Sequence, residues 1–557
     1  MKNIITIICA LIVVLNASAQ QKDSLIKANE IEVIKTFKPT LSDAIKIPVN
    51  PNPETPESTM PEFKYKQPEQ QYQTLPTMYA IKPISLGTAL LPKLKNNYTR
   101  MGFGNYVTPM FEIYLTSLRN KNWQGGVFAK HLSSKGDAAF NNFSNNTLYA
   151  YGKRFFDAGS ISADAYYYRN VAYLYGYPND AVKPKEDTSK LVYNTIDVKL
   201  AYENKVKDSN DLSLKINANY YNYNNNNNNR EVTDNDFVAG GIFSKRYVGV
   251  LFDLKTAINI NNTGYKDFSY NRTYFDFNPR VTLNDVDFYL KGGFNLTYMS
   301  DSNKSEQSGV FFYPMAEAGY HIIKEKLTTY AGLTGDYKKN TFRSISSENP
   351  FTLGRSDSAL HGIYNTNKQI EFYLGLKGSL GKRTFFSIYG SVANYKNMLF
   401  FGYESGRYSQ LPLYDNGKVT LTTMQLELNH HFGEKFRTGL TLTSYDYSMD
   451  KLLQPSAKPS FEAKWNNSLN LADKFLFRLD LFYMNERMAL SYVPGKNSFK
   501  EYKLEPMVDA NFAIDYRYNK HVSAFLNINN FANNQYQRWL NYNVYGFNVL
   551  GGMTFTF

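Results

Sequence analysis

The chain has 557 residues, a net charge of +13 and a single cysteine, with 46 Tyr and 39 Phe against only 3 Trp. Mean hydropathy is −0.45, and beyond residue 19 no apolar run is long enough for a transmembrane helix, which argues against a helical membrane protein. The positive charge is diffuse and comes with no nucleic-acid motif, so no nucleic-acid partner is expected. A polar average with this much Tyr and Phe instead suits a membrane β-barrel, where lipid-facing and lumen-facing residues alternate and aromatics gather at both interfaces.

In chain order, residues 1–19 read as a secretory signal peptide. Lys2 supplies the positive start, 4–15 the apolar stretch, and Ala17, Ser18 and Ala19 the cleavage site. Cys9 lies within the apolar stretch, so the mature chain is expected to lack disulfides and thiolate chemistry. Residues 20–96 follow as a Pro-rich segment, periplasmic or lumenal, with prolines at 48, 51, 53, 56, 61, 68, 76, 83 and 92. That spacing favours an extended tether over a packed domain. Within it, Ile31, Glu32, Val33 and Ile34 alternate like a short strand that a partner pairs with by strand addition. The same four residues read equally as a local strand or as a docking peptide for another partner.

From 97 to 557 the pattern is repeated alternation, the signature of an outer-membrane β-barrel. Ile196, Val198, Leu200 and Tyr202 alternate with Asp197, Lys199, Ala201 and Glu203. Val508, Ala510, Phe512, Ile514, Tyr516 and Tyr518 alternate with Asp509, Asn511, Ala513, Asp515, Arg517 and Asn519. A period of two puts each set on its own face. Charge recurring on the polar face of strand after strand implies a hydrated lumen inside an apolar wall. Tight polar turns, as at 157–159, 324–326, 433–435 and 472–474, alternate with longer loops at 177–190, 224–229, 300–307, 341–367, 401–417 and 489–503. Short turns on the periplasmic rim and long loops outside are expected of such a barrel. The segments count to about 22 antiparallel strands, in an all-β transmembrane barrel whose lumen is too wide for its own side chains to fill. Part of 48–96 is therefore expected inside it.

Chemistry-bearing motifs are sparse. His430 and His431 are adjacent, so on a strand they face opposite ways. No zinc motif, phosphate-binding loop or nucleophile–base spacing stands out, so neither an enzyme nor a cofactor is expected. Asp197, Lys199, Arg478, Asp480, Asp515 and Arg517 fall on the polar face. They either line a solute path or pair across neighbouring strands. The run containing Tyr166, Tyr167, Tyr168, Tyr173, Tyr175 and Tyr177 reads as a sugar-stacking surface or as an interfacial girdle.

The last residues carry a likeness. Asn527-Ile528-Asn529-Asn530-Phe531 is followed by Tyr536-Gln537-Arg538-Trp539 and then by a Gly-rich run from Tyr545 to the terminal Phe557. This resembles the closing hairpin of the TonB-dependent receptors, especially those of the Bacteroidota. The resemblance implies transport of a bulky solute across the outer membrane, with TonB or another periplasmic partner pairing to 31–34. It also implies that Phe547, Val549, Met553, Phe555 and Phe557 form the signal read by the outer-membrane assembly machinery. Members of that family carry a folded plug before the barrel, and 20–96 is too short and too Pro-rich to be one. A plugless structural or assembly barrel that docks a partner complex is the alternative.

Overall fold

The computed structural model describes residues 97–557 apart from 119, 137, 178–188, 209, 226–230, 303–306, 354–361, 494–495 and 497. Its strands are β1 (Asn97–Gly104), β2 (Thr108–Thr116), β3 (Trp123–Ser134), β4 (Phe143–Phe156), β5 (Gly159–Tyr173), β6 (Lys190–Asn204), β7 (Ser213–Asn225), β8 (Val232–Tyr247) and β9 (Val250–Tyr265). There follow β10 (Ser269–Asn284), β11 (Phe288–Asp301), β12 (Gly309–Ile323), β13 (Leu327–Lys338), β14 (Thr366–Ser379), β15 (Thr384–Glu404), β16 (Ser409–Phe432), β17 (Phe436–Met449) and β18 (Phe461–Leu471). The last are β19 (Phe475–Met484), β20 (Arg487–Val493), β21 (Ser498–Leu504), β22 (Met507–Arg517), β23 (Val522–Asn529), β24 (Gln537–Trp539), β25 (Tyr542–Asn543) and β26 (Asn548–Thr556). A short helix, α1 (Phe342–Glu348), lies between β13 and β14.

Among the described residues, 22 strands close into one antiparallel barrel. Sequential neighbours pair from β1 to β19, then β19 pairs with β22, β22 with β23, β23 with β26, and β26 with β1. The β20–β21 hairpin and the small β24–β25 ribbon are insertions at the rim that carries the longer loops. Closure pairs the backbone around the whole ring, which is what lets a sheet stand in lipid without an open edge.

The two faces follow from the alternation. On β6, Ile196, Val198 and Leu200 are exposed on the outer wall, Leu200 at 51%, while Asp197 between them is buried inside. On β22, Val508 is exposed and Asp515 turns inward to meet Arg478.

The closing seam explains the Gly-rich last strand. Gly102 of β1 stands opposite Gly552 of β26. The ring of Phe525, from β23, lies where a side chain on either glycine would have to go. An aromatic ring over paired glycines restores the packing that the glycines lack. At the end of the seam Asn97 and Phe557 exchange backbone hydrogen bonds, both 3.0 Å.

Two segments expected as loops are strands. β15 and β16 run to 21 and 24 residues and continue through 401–404 and 409–417, leaving a turn only at 405–408. Residues 489–503 belong mostly to the β20–β21 hairpin. Phe400, Phe401, Tyr403, Leu411 and Leu413 are all buried. With both faces of the hairpin covered, the two-residue polar alternation disappears and the strand signal with it.

Candidate functional site: the loop-lined mouth

The main hydrophobic cluster sits inside the barrel, at its loop rim. It joins Leu191, Tyr193, Tyr221, Tyr223 and Val232 of the wall to Phe342, Ile345 and Leu353 of the β13–β14 loop, and to Trp539, Leu540 and Tyr542 of the β23–β26 loop. Both loops therefore fold inward. α1 starts on a capping box in which Thr341 accepts from the Ser344 N–H and the Ser344 hydroxyl accepts from the Thr341 N–H, which satisfies donors that a short helix would otherwise leave bare.

Polar contacts fix the β13–β14 loop to the wall. Arg343 Nη2 donates to Asp197 Oδ2 at 2.9 Å, and its backbone N–H donates to Asp234 Oδ2 at 3.2 Å. The Arg343 guanidinium also lies 4.2 Å over the Tyr221 ring. Asp197 is the eighth residue of a 15-residue strand, so the Arg343 side chain reaches the middle of β6. Nearby, Asn261 Nδ2 and Thr263 Oγ1 donate to Asp234, and Asn259 Nδ2 donates to Asp236. Buried carboxylates need such donors.

Arg272, 1% exposed, anchors both feet of the same loop. Its Nε meets Asp301 at 2.9 Å, Nη1 donates to the Asn340 carbonyl at 3.0 Å, and Nη2 donates to the Ile363 carbonyl. The fork of a guanidinium suits one carboxylate and two carbonyls at once.

The β23–β26 loop packs against the first. Tyr542 stacks on Phe351 with centroids 3.8 Å apart and donates to the Tyr408 carbonyl at 2.5 Å. Tyr536 donates to Asp509 at 2.7 Å. Arg487, on the hairpin outside the barrel, donates to the carbonyls of Arg538 at 2.9 Å and Gln537 at 2.6 Å. Burial, with Arg538 close by, lowers its pKa to about 10.

Between the two loops and the wall of β4 to β7 lies a recess of about 620 Å³, within the ~300–1,000 Å³ usual for ligand pockets. From it a line of near-parallel tyrosine rings runs along the lumen wall. Tyr168 and Tyr166 are 5.7 Å apart, Tyr166 and Tyr149 4.2 Å, and Tyr149 and Tyr151 5.6 Å.

The residues singled out from the sequence fall as follows. Asp197 meets Arg343 on the loop, and Lys199 lies 5.2 Å over the Tyr166 ring. Arg478 and Asp515 form a 2.7 Å ion pair between β19 and β22. Asp480 accepts from Asn466 at 2.7 Å, and Arg517 stands opposite Ser523 at the end of β22. These six are two groups on different strands and not one cluster. Tyr166 and Tyr168 face the lumen and only Tyr167 between them is exposed on the outer wall, so the run is not an outward girdle. Tyr173 is buried. Tyr175 lines the recess, and Tyr177 packs edge-on to Tyr408. Phe547, Met553, Phe555 and Phe557 are exposed on the outer side of the last strand, with Val549 half-buried on the same side. Ile31, Glu32, Val33 and Ile34, and the whole of 20–96, lie outside the described residues. Arg272, Asp234 and Arg343, which hold the mouth together, carry no motif or spacing that marks them in the sequence. Among the described residues no three His, Cys, Asp or Glu side chains gather as a metal site.

No protein-family model matches the chain, and no curated protein does. Solved structures do share its fold. The FrpB iron transporter from Neisseria meningitidis (F3-3 variant) superposes with a TM-score of 0.66 at 11% identity, over 84% of this chain and 82% of that one. The ferripyoverdine receptor of the Pseudomonas aeruginosa outer membrane, bound to ferripyoverdine, gives 0.62 at 11% over 84% and 73%. The ferric-catecholate import receptor Fiu from E. coli K12 gives 0.62 at 11% over 83% and 82%. Identity this low establishes the fold alone. A closed 22-strand barrel with an apolar outer wall and this fold is a barrel of the outer membrane.

Proposed function

We propose that the protein is a transport-receptor-like barrel that admits a bulky solute across the outer membrane. The observation that carries this is the solute-sized recess at the mouth, held open between two infolded loops and continued along the lumen wall by the tyrosine line. The shared fold with iron receptors and transporters supports the same reading. On it, the short-turn rim faces the periplasm, where the chain enters β1 at Asn97. Residues 20–96 then supply Ile31, Glu32, Val33 and Ile34 to TonB or another periplasmic partner, and Phe547, Val549, Met553, Phe555 and Phe557 are offered to the assembly machinery.

One observation favours the alternative of a docking barrel. The long β15–β16 hairpin and the β20–β21 hairpin form a sheet beyond the barrel wall, joined where Tyr403 pairs with Ser491. Such a sheet is a ready platform for a surface partner.

Growth on single nutrients separates the two. A strain lacking the chain is supplied in turn with oligosaccharides, ferric chelates or peptides too large for general porins. Transport predicts a defect confined to one nutrient class and restored by the full-length chain. An envelope defect on every source, with no nutrient dependence, contradicts it.

A further inference from the structure

We infer that the recess at the mouth takes a neutral oligosaccharide and not an anionic chelate. The inference rests on the transport reading above and names the solute class for the same site. Its basis is the chemistry of the groups still open to solvent there. Asn145 of β4 and Asn170 of β5 stand opposite each other, both exposed, and both line the recess. Neither side-chain amide has a hydrogen-bond partner among the described residues. Asn543 adds a third exposed amide from the β23–β26 loop. Tyr168 and Tyr545 present half-buried rings beside them.

Amides that both donate and accept, set next to aromatic rings, match the two surfaces of a pyranose. Its hydroxyls need paired donors and acceptors, and its C–H face packs on an aromatic ring. The charge balance points the same way. Among the described residues the recess has one charged residue in its lining, Arg343, and that guanidinium is engaged with Asp197 at 2.9 Å. A multiply charged anion held in the recess would meet no free cation among its described lining residues, and burying it unpaired is costly. A neutral sugar meets no such penalty. The tyrosine line from Tyr168 through Tyr166 and Tyr149 to Tyr151 carries aromatic edges and hydroxyls on down the wall, with Lys199 over the Tyr166 ring and the Tyr149 hydroxyl donating to Asp164, so a chain of sugars leaving the recess still meets polar and aromatic groups.

The test is calorimetric titration of the purified full-length protein. The probes are maltohexaose, cellohexaose, xylohexaose and laminarihexaose, with a ferric tris-catecholate as the anionic arm. Two variants accompany it, Asn145→Ala/Asn170→Ala and Tyr168→Ala. The amide pair is exposed and makes no hydrogen bond among the described residues, so the double variant is expected to keep the heat-modifiable mobility of a folded barrel. The expected result is binding of at least one hexasaccharide, weakened at least tenfold in each variant, and no binding of the chelate. Failure of all four sugars to bind overturns the inference, as does binding that the double variant leaves unchanged. Chelate binding that the double variant abolishes overturns the sugar assignment while leaving the transport reading in place.

Discussion

At the scale of single residues, the wall is a strict record of facing. Leu200 is exposed to lipid, and Ala201 next to it points inward between Ser162 and Asn217. An arginine at mid-bilayer on the lipid face costs about 2–4 kcal/mol, whereas one on the inner face meets water and lies two residues from Glu203. Leu200→Arg is therefore expected to lower the amount of folded barrel in outer-membrane fractions, and Ala201→Arg to leave it near the parent level. Equal behaviour of the two in a heat-modifiability assay argues against this facing. Asp197 was legible from alternation as an inward carboxylate. Its partner was not, because Arg343 lies 146 residues away in a loop with no periodicity to place it. Arg272 was hidden for the same reason. It looks like any other polar-face residue of β10, yet it ties together Asp301 and two loop carbonyls. Arg272→Met takes all three interactions away at a buried site, a loss on the order of 3 kcal/mol. It should make the 339–365 loop sensitive to added protease at concentrations that leave the parent intact. Unchanged resistance counts against Arg272 as the anchor.

At the scale of elements, the last strand shows how far pattern reading reaches. Its glycines and its alternating outer residues were plain in the sequence. The reason for the glycines was not, since Phe525 belongs to another strand and reaches the seam only after β23 pairs with β26. A Cβ on Gly552 would collide with the Met101 carbonyl and the Gly102 backbone. Gly552→Val is thus expected to prevent the β1–β26 closure and leave little folded barrel, while Gly152→Val, where a Cβ meets nothing within 4 Å, is tolerated. If the two assemble equally well, the seam is not the constraint. Phe557 is 61% exposed and contributes to closure through its backbone, so its side chain is free to be recognised. Deleting it should lower outer-membrane levels and raise periplasmic degradation, read by fractionation and immunoblot. Normal levels would remove Phe557 from the assembly signal. The ends of β15 and β16 lie where the sequence predicts a loop, and the reason is physical. A hairpin packed on both faces has no polar side, and the alternation that identifies a barrel strand is absent from it.

At the scale of the whole molecule, strand number and closure were readable because each barrel strand repeats one rule. The mouth was not readable, because its hydrophobic cluster is assembled from two loops, four barrel strands (β6, β7, β8 and β15) and the β20–β21 hairpin, which the sequence separates by up to hundreds of residues. The cluster lies inside the loop rim, where the β13–β14 loop narrows the lumen. The account depends on that loop as the governing element of the mouth. Single-channel conductance of the full-length protein in planar bilayers tests it most directly, with residues 341–353 replaced by a short Gly–Ser linker. The account predicts a several-fold rise in steady conductance over the parent barrel. Conductance unchanged by the replacement would contradict it.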